Sequence, residues 1–145
     1  MLPYDHKAFE EEDTSFGLEA FRPQFEFGFG LSYTTFEYSR LEVSPKQARL
    51  NVPMEIAVSV RNAGRRAGAE VVQLFLSQHV ARVTPPMKRL KRFVKVALAA
   101  GESRLLRFQL TRDDLAFTGR DGTRVVEPGT FTVIVGNLRQ ELKRE

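Results

Sequence analysis

The sequence predicts an all-β fold, an antiparallel β-sandwich of about seven strands preceded by an extended N-terminal arm. Three observations carry that expectation. Apolar residues recur with a period of two rather than 3.6, turn-forming residues interrupt the apolar runs at short intervals, and one short stretch, Arg112-Asp113-Asp114-Leu115, reads as helical.

The elements follow in order. Phe36 and Tyr38, then Leu41 and Val43, mark a first strand, and the slip in alternation near Ser39-Arg40 predicts a bulge. Met54, Ile56, Val58 and Val60 alternate with Glu55, Ala57, Ser59 and Arg61, giving a second strand with one buried and one wet face. Asn62-Ala63-Gly64 supplies residues that tolerate a positive φ, so a turn there leads to a third strand through Val72, Leu74 and Leu76. Leu90, Phe93, Val96 and Leu98 are read as the buried positions of a fourth strand, and Leu106, Phe108 and Leu110 as those of a fifth. Asp121-Gly122 between Phe117 and Val125-Val126 predicts a two-residue hairpin turn. Pro128-Gly129 suits a type II turn before a last strand through Phe131, Val133 and Val135. The expected organisation is an arm over residues 1–34, a sandwich over 35–138 and a tail over 139–145.

The arm carries the strongest single signal. Phe25, Phe27 and Phe29 alternate through Gly28 into Gly30, and Tyr33 follows before the first strand. An extended ribbon with rings every second residue needs a surface to lie on, because otherwise the rings stay in water. Phe25, Phe27, Phe29 and Tyr33 are therefore the expected docking strip, either onto this sandwich or onto another domain, with the glycines allowing close backbone approach. A phosphate cradle at Gly28-Phe29-Gly30 is disfavoured because Ser32-Tyr33-Thr34-Thr35 leads into a strand and not into a helix. Stacking of these rings on sugars is a second use, set below packing because tryptophan is absent.

Composition bounds the chemistry. The 145 residues suffice for one cored domain plus an arm, and no cysteine is present for a disulfide or a thiolate metal site. No apolar run nears the roughly 20 residues that span a bilayer, so no membrane partner is expected. Met1-Leu2-Pro3-Tyr4-Asp5-His6-Lys7 lacks the apolar core of a signal peptide, which places the chain as written in the cytoplasm; that expectation lapses if it is cut from a longer parent. The net charge of +4 is uneven: residues 1–24 carry −4, with Glu10-Glu11-Glu12-Asp13 as a solvated acidic loop, and the remainder carries +8.

Candidate catalytic groups are few. His6 and His79 are the two histidines, and none of Ser32, Ser59, Ser77 and Ser103 sits in a nucleophile signature. Asp113, Asp114 and Asp121 are the nearest to a glycosidic carboxylate pair, yet they fall where caps and turns use aspartate anyway. No catalytic residue, metal site or cofactor is assigned. The basic run Lys88, Arg89, Lys91, Arg92 and Lys95 is the candidate for contact with an anion or an acidic glycan, although Leu90, Phe93 and Val96 interrupt it at positions read as buried. Nucleic acid is not an expected partner.

The ordered set of motifs resembles one family. Pro23–Tyr38, then Val58-Ser59-Val60-Arg61-Asn62-Ala63-Gly64, Arg66–Leu76, Pro86–Phe93, Ala100-Gly101-Glu102-Ser103, Asp114-Leu115-Ala116-Phe117 and Glu127-Pro128-Gly129-Thr130-Phe131 through Val135-Gly136 follow the order of the C-terminal fibronectin type III-like domain of family 3 glycoside hydrolases, the β-glucosidase and β-xylosidase family. The resemblance covers roughly residues 23–137, and Leu2–Lys7 is similar to the linker before that domain. It implies an immunoglobulin-like sandwich and a non-catalytic accessory module, since the family's nucleophile and acid/base belong to barrel and α/β domains outside this chain. The implied partners are those catalytic domains, in cis or in trans. An arm with nothing else to cover it also predicts a homodimer through the arm. The alternatives are a stand-alone carbohydrate-binding module and, third, a hydrolase in its own right.

Overall fold

The computed structural model describes residues 29–45, 47–48, 52–78, 88–119 and 121–144. Their strands are β1 (Phe36–Ser44), β2 (Gln47–Ala48), β3 (Met54–Asn62), β4 (Gly68–Gln78), β5 (Arg89–Leu98), β6 (Ser103–Leu110), β7 (Phe117–Thr118), β8 (Arg124–Val125), β9 (Gly129–Val135) and β10 (Leu138–Arg144), with one helical turn, α1 (Arg112–Leu115). A three-stranded sheet in the order β1-β3-β6 faces a five-stranded sheet in the order β2-β10-β9-β4-β5, and β7-β8 form a small ribbon. Every pairing is antiparallel except the short one between β10 and β2. The all-β sandwich expected from the alternation is therefore the observed architecture.

Period-two patterning places the core. Ile56, Val58 and Val60 of β3 meet Val72, Leu74 and Leu76 of β4 and Phe131, Val133 and Val135 of β9 in one buried cluster. Burying an aliphatic or aromatic side chain of this size contributes about 1.5–3 kcal/mol before ordering costs. The intervening residues of β3, Glu55, Ala57 and Ser59, face outward, as a one-sided sheet requires.

The bulge in β1 lies where the alternation slipped, between Ser39 and Glu42, and Arg40 there takes a φ of 54°. Four local expectations are corrected. Residues 139–144 of the expected tail are strand, because Leu138–Arg144 form β10, which pairs with β9 along its length and buries Leu142. Its apolar residues, Leu138 and Leu142, are four apart with Gln140 between them, so no alternation was visible. The β7-β8 hairpin does not turn on two residues: its ladder ends at Thr118 and Arg124, and Gly119 N–H donates to Thr123 C=O at 2.8 Å to close the wider loop.

Gly64, third, is not among the positive-φ residues. A Cβ there would come within 2.1 Å of Thr34 Oγ1, so the glycine serves close approach of the arm and not a left-handed turn. The fourth correction concerns β5. A register shift at Leu74/Phe75 places Lys91 as the extra residue, and the phase of β5 inverts across it. Val94, Val96 and Leu98 pack inward, whereas Leu90 and Phe93, expected inside, are exposed.

Candidate interaction surfaces

Asn62, at the end of β3, organises the end of the sandwich where the arm arrives. It is fully buried, and its side chain uses its full capacity. Nδ2 donates to Arg66 C=O at 2.7 Å and to Leu98 C=O at 3.1 Å, while Oδ1 accepts from Thr34 Oγ1 at 2.6 Å and from Gly64 N–H at 3.1 Å. Its backbone is bonded as well, N–H to Glu102 C=O and C=O from Gly101 N–H, each at 2.9 Å. One buried amide thus fastens the arm, the β3–β4 turn, the end of β5 and the β5–β6 turn. Buried polar groups of this kind hold only when every partner is present.

The described arm residues before that anchor are largely exposed. Tyr33 is 97% exposed, Leu31 90% and Phe29 56%, although Thr34 beside them is fixed. Of the expected docking strip, Phe29 and Tyr33 are thus seen to present their rings outward, and Phe25 and Phe27 lie outside the described residues.

The basic run does not form one surface. Arg92 points toward α1 and makes a bidentate pair with Asp114, Nη1 to Oδ1 at 2.9 Å and Nη2 to Oδ2 at 2.8 Å. Burial works to raise the Asp114 carboxyl, but the Thr111 N–H at 2.8 Å and the Arg92 guanidinium win and hold it below the usual carboxylate range. Arg89 donates through Nη1 to Ala116 C=O at 2.7 Å, and its Nε and Nη2 are buried without a hydrogen-bond partner. Burial, then the nearby Arg124, lowers the Arg89 pKa. Lys91 is lowered too, by burial first and then by Arg89. Lys88 sits with Nζ 5.4 Å over the Phe75 ring, and Lys95 is exposed opposite Val71. Much of this charge is therefore engaged in holding β5 to α1.

Sequence reasoning missed an apolar area that the inverted phase of β5 creates. Phe93 is 68% exposed, Val71 44% and Leu90 37%, and register places all three on the outer face of β4-β5. The visible signal was Val71, an apolar residue out of phase with Val72, Leu74 and Leu76. Beside this area Ser77, Thr132, Ile134, Arg139, Gln140 and Glu141 line an open groove of about 330 Å³. Glu141 is the one acid of that lining, so the groove does not bring together the two carboxylates that glycoside hydrolysis uses. Among the described residues no three potential metal-ligating side chains cluster, and no helix is long and apolar enough to cross a membrane.

Comparison with known proteins gives a consistent result. Residues 70–138 match the fibronectin type III-like domain. The chain is 41% identical over 114 residues to a β-xylosidase of Formosa agariphila, covering 79% of this chain and 16% of that protein. It is 37% identical over 146 residues to the probable β-glucosidase L of Aspergillus fumigatus, covering 90% and 20%. Among solved structures, the β-glucosidase from Listeria innocua in complex with isofagomine superposes with a TM-score of 0.82 at 31% identity, over 99% of this chain and 20% of that one. The β-glucosidase from Erythrobacter marinus gives 0.79 at 34% identity, over 83% and 17%. The chain thus spans about a sixth to a fifth of the length of these relatives.

Proposed function

We propose that this chain, which belongs with the fibronectin type III-like domains of family 3 glycoside hydrolases, acts as a non-catalytic module that packs against catalytic domains and steadies them. The observation that carries the reading is the arm: an anchored segment presents Phe29, Leu31 and Tyr33 to solvent at the edge of an otherwise complete core. Rings held out in this way gain by being covered, at about 1.5–3 kcal/mol per fully buried side chain before ordering costs. The relatives carry the matching segment within a polypeptide five to six times longer, which supports a covering surface in cis. Phe25 and Phe27 extend the strip in this proposal.

The test is a chimera in which this chain replaces the matching domain of the Listeria innocua β-glucosidase. A supporting result is one calorimetric transition, above that of the same enzyme lacking the domain, with glucosidase activity retained. Paired substitution Leu31→Ala and Tyr33→Ala should lower that transition while leaving the melting of the separate chain unchanged. Two independent transitions, each at the temperature of the separate part, would refute the reading. A stand-alone glycan binder is less well supported, because Arg89 and Arg92 of its proposed basic strand are turned toward Ala116 and Asp114.

A further inference from the structure

β5 is the edge of its sheet, and register sets Arg89 opposite Leu76 and Arg92 opposite Leu74, both core residues of β4. Paired residues share a face, so both guanidinium groups leave β5 on the core side and reach the backbone and side chains around α1. Arg124 of β8 comes to the same backbone, donating through Nη2 to Asp113 C=O at 2.8 Å. Lys91 completes a group of four cations, since the charges of Arg89, Arg124 and Arg92 all act on it. The acceptors do not match this supply of donors. Asp114 is the one acid that acts on Lys91, and its oxygens are taken already: Oδ1 by Arg92 Nη1, and Oδ2 by Arg92 Nη2, Thr111 N–H and Thr111 Oγ1. Arg89 and Arg124 each donate to a neutral carbonyl instead. The Nε and Nη2 of Arg89, which form one edge of its guanidinium, are buried without a hydrogen-bond partner. Burial and then Arg124 lower the Arg89 pKa, with no carboxylate opposing them. A buried charged donor in that state is unfavourable until an acceptor meets it.

We propose that Arg89, Lys91 and Arg124 form a binding site for one oxyanion, a carboxylate or a phosphate, held bidentately on the Nε–Nη2 edge of Arg89. The chemistry of the three groups selects the ligand. They offer donors and positive charge only, and the two parallel N–H groups of that edge match two oxygens on one centre. A neutral sugar hydroxyl would leave the repulsion among the cations in place. Arg89 is half-buried on an edge strand, so a turn of its guanidinium opens the edge to a ligand while the core stays packed. The site stands independently of the module reading above. Two sources carry the same chemistry: an Asp or Glu side chain of the catalytic part in cis, or a free phosphate or sugar acid.

Inorganic phosphate is the probe, compared with chloride at matched ionic strength so that screening is equal in both. At about 10 mM phosphate the melting temperature of the chain should rise by about 3 °C or more over chloride, as a site of roughly millimolar affinity requires. Arg89→Lys keeps the charge but loses the fork, and should weaken phosphate binding about 10-fold or more. Lys91→Met leaves the bond from Arg89 to Ala116 intact, so it should keep the melting temperature in chloride within about 2 °C and weaken phosphate binding about 5-fold. Equal melting in phosphate and chloride overturns the site. A phosphate response that neither substitution changes means an adventitious ion only, and overturns it as well. The Listeria innocua chimera separates the sources. A phosphate response lost there, with a joint transition lowered by Arg89→Lys, assigns the oxyanion to a side chain of the catalytic part; a response retained there assigns it to a free anion. Two separate transitions in the chimera would overturn the module reading and leave the site standing on its phosphate response.

Discussion

On the outer face of β1-β3-β6, Glu37 stands opposite Arg61, and Glu55 is ion-paired with Arg107 across to β6. On the outer face of β4-β5, Val71 and Phe93 lie side by side with lysines at the margin. Both faces belong to the same sandwich and both are built from alternating strands, so the difference is not one of secondary structure. The first face closes its own electrostatics with cross-strand pairs of opposite charge, and Leu105 is an isolated apolar residue on it. The second leaves Phe93, Val71 and Leu90 exposed, apolar side chains where the first face has charge pairs. A sheet buries one face in any case; the two sheets differ in whether charge pairs or apolar side chains meet the solvent on the other.

The most severe way to break this contrast is at the joint between arm and sandwich. Asn62→Ala removes four side-chain hydrogen bonds and leaves the Leu98 and Arg66 carbonyls short of a donor inside the fold. The expected loss is about 2–4 kcal/mol in the separate chain, read as a lower urea midpoint at an unchanged slope. Thr34→Val, which deletes one of those bonds, should cost about 1 kcal/mol by the same measurement. Equal costs for the two substitutions would show that Asn62 does not act as a common anchor.

The sandwich was legible because its core strands obey a strict period of two: Met54 to Val60 and Phe131 to Val135 could be assigned without any partner in view. The bulge in β1 was legible for the same reason, since it left a visible slip at Ser39-Arg40. Where pairing across strands sets the phase, the chain alone was silent. The shift opposite Leu74/Phe75 belongs to the β4–β5 pair, so Leu90 and Phe93 read as buried until their partners were known. β10 was hidden for a different reason: its edge neighbour is the short β2, and its inward positions mix Leu138 and Leu142 with Gln140. Of the candidate sites, the expected docking strip shows Phe29 56% and Tyr33 97% exposed, while Phe25 and Phe27 lie outside the described residues. The basic run was over-read, because the Asp114 that takes up Arg92 is 22 residues away in sequence.

A milder change sharpens the contrast at the basic end of β5. Asp114→Asn removes the bidentate partner of Arg92 and should cost about 1 kcal/mol at neutral pH, allowing for screening of a partly exposed pair. Its pH dependence gives the direction. The folded carboxyl is held below its unfolded value, so its contribution is complete above the ordinary carboxylate pKa of about 4 and fades as pH falls through the folded value. The parent sequence should therefore lose its advantage over Asp114→Asn on acidification, with no change between pH 6 and 8. A gap that stayed constant down to pH 2 would assign the effect to packing instead of charge.

The smallest effect is expected on the finished face. Glu55 and Arg107 are both well exposed, and a pair of that kind contributes about 0.2–1 kcal/mol with strong dependence on salt. A double-mutant cycle of Glu55→Gln and Arg107→Gln in the separate chain should give a coupling within that range at low salt and close to zero at 1 M. The physical point is one of sufficiency: a face needs only weak pairs to remain soluble when its exposed apolar residues are isolated ones such as Leu105. If instead the coupling exceeded about 2 kcal/mol and persisted in high salt, the β1-β3-β6 face would be a rigid charged lattice and a second candidate surface for an oppositely patterned partner.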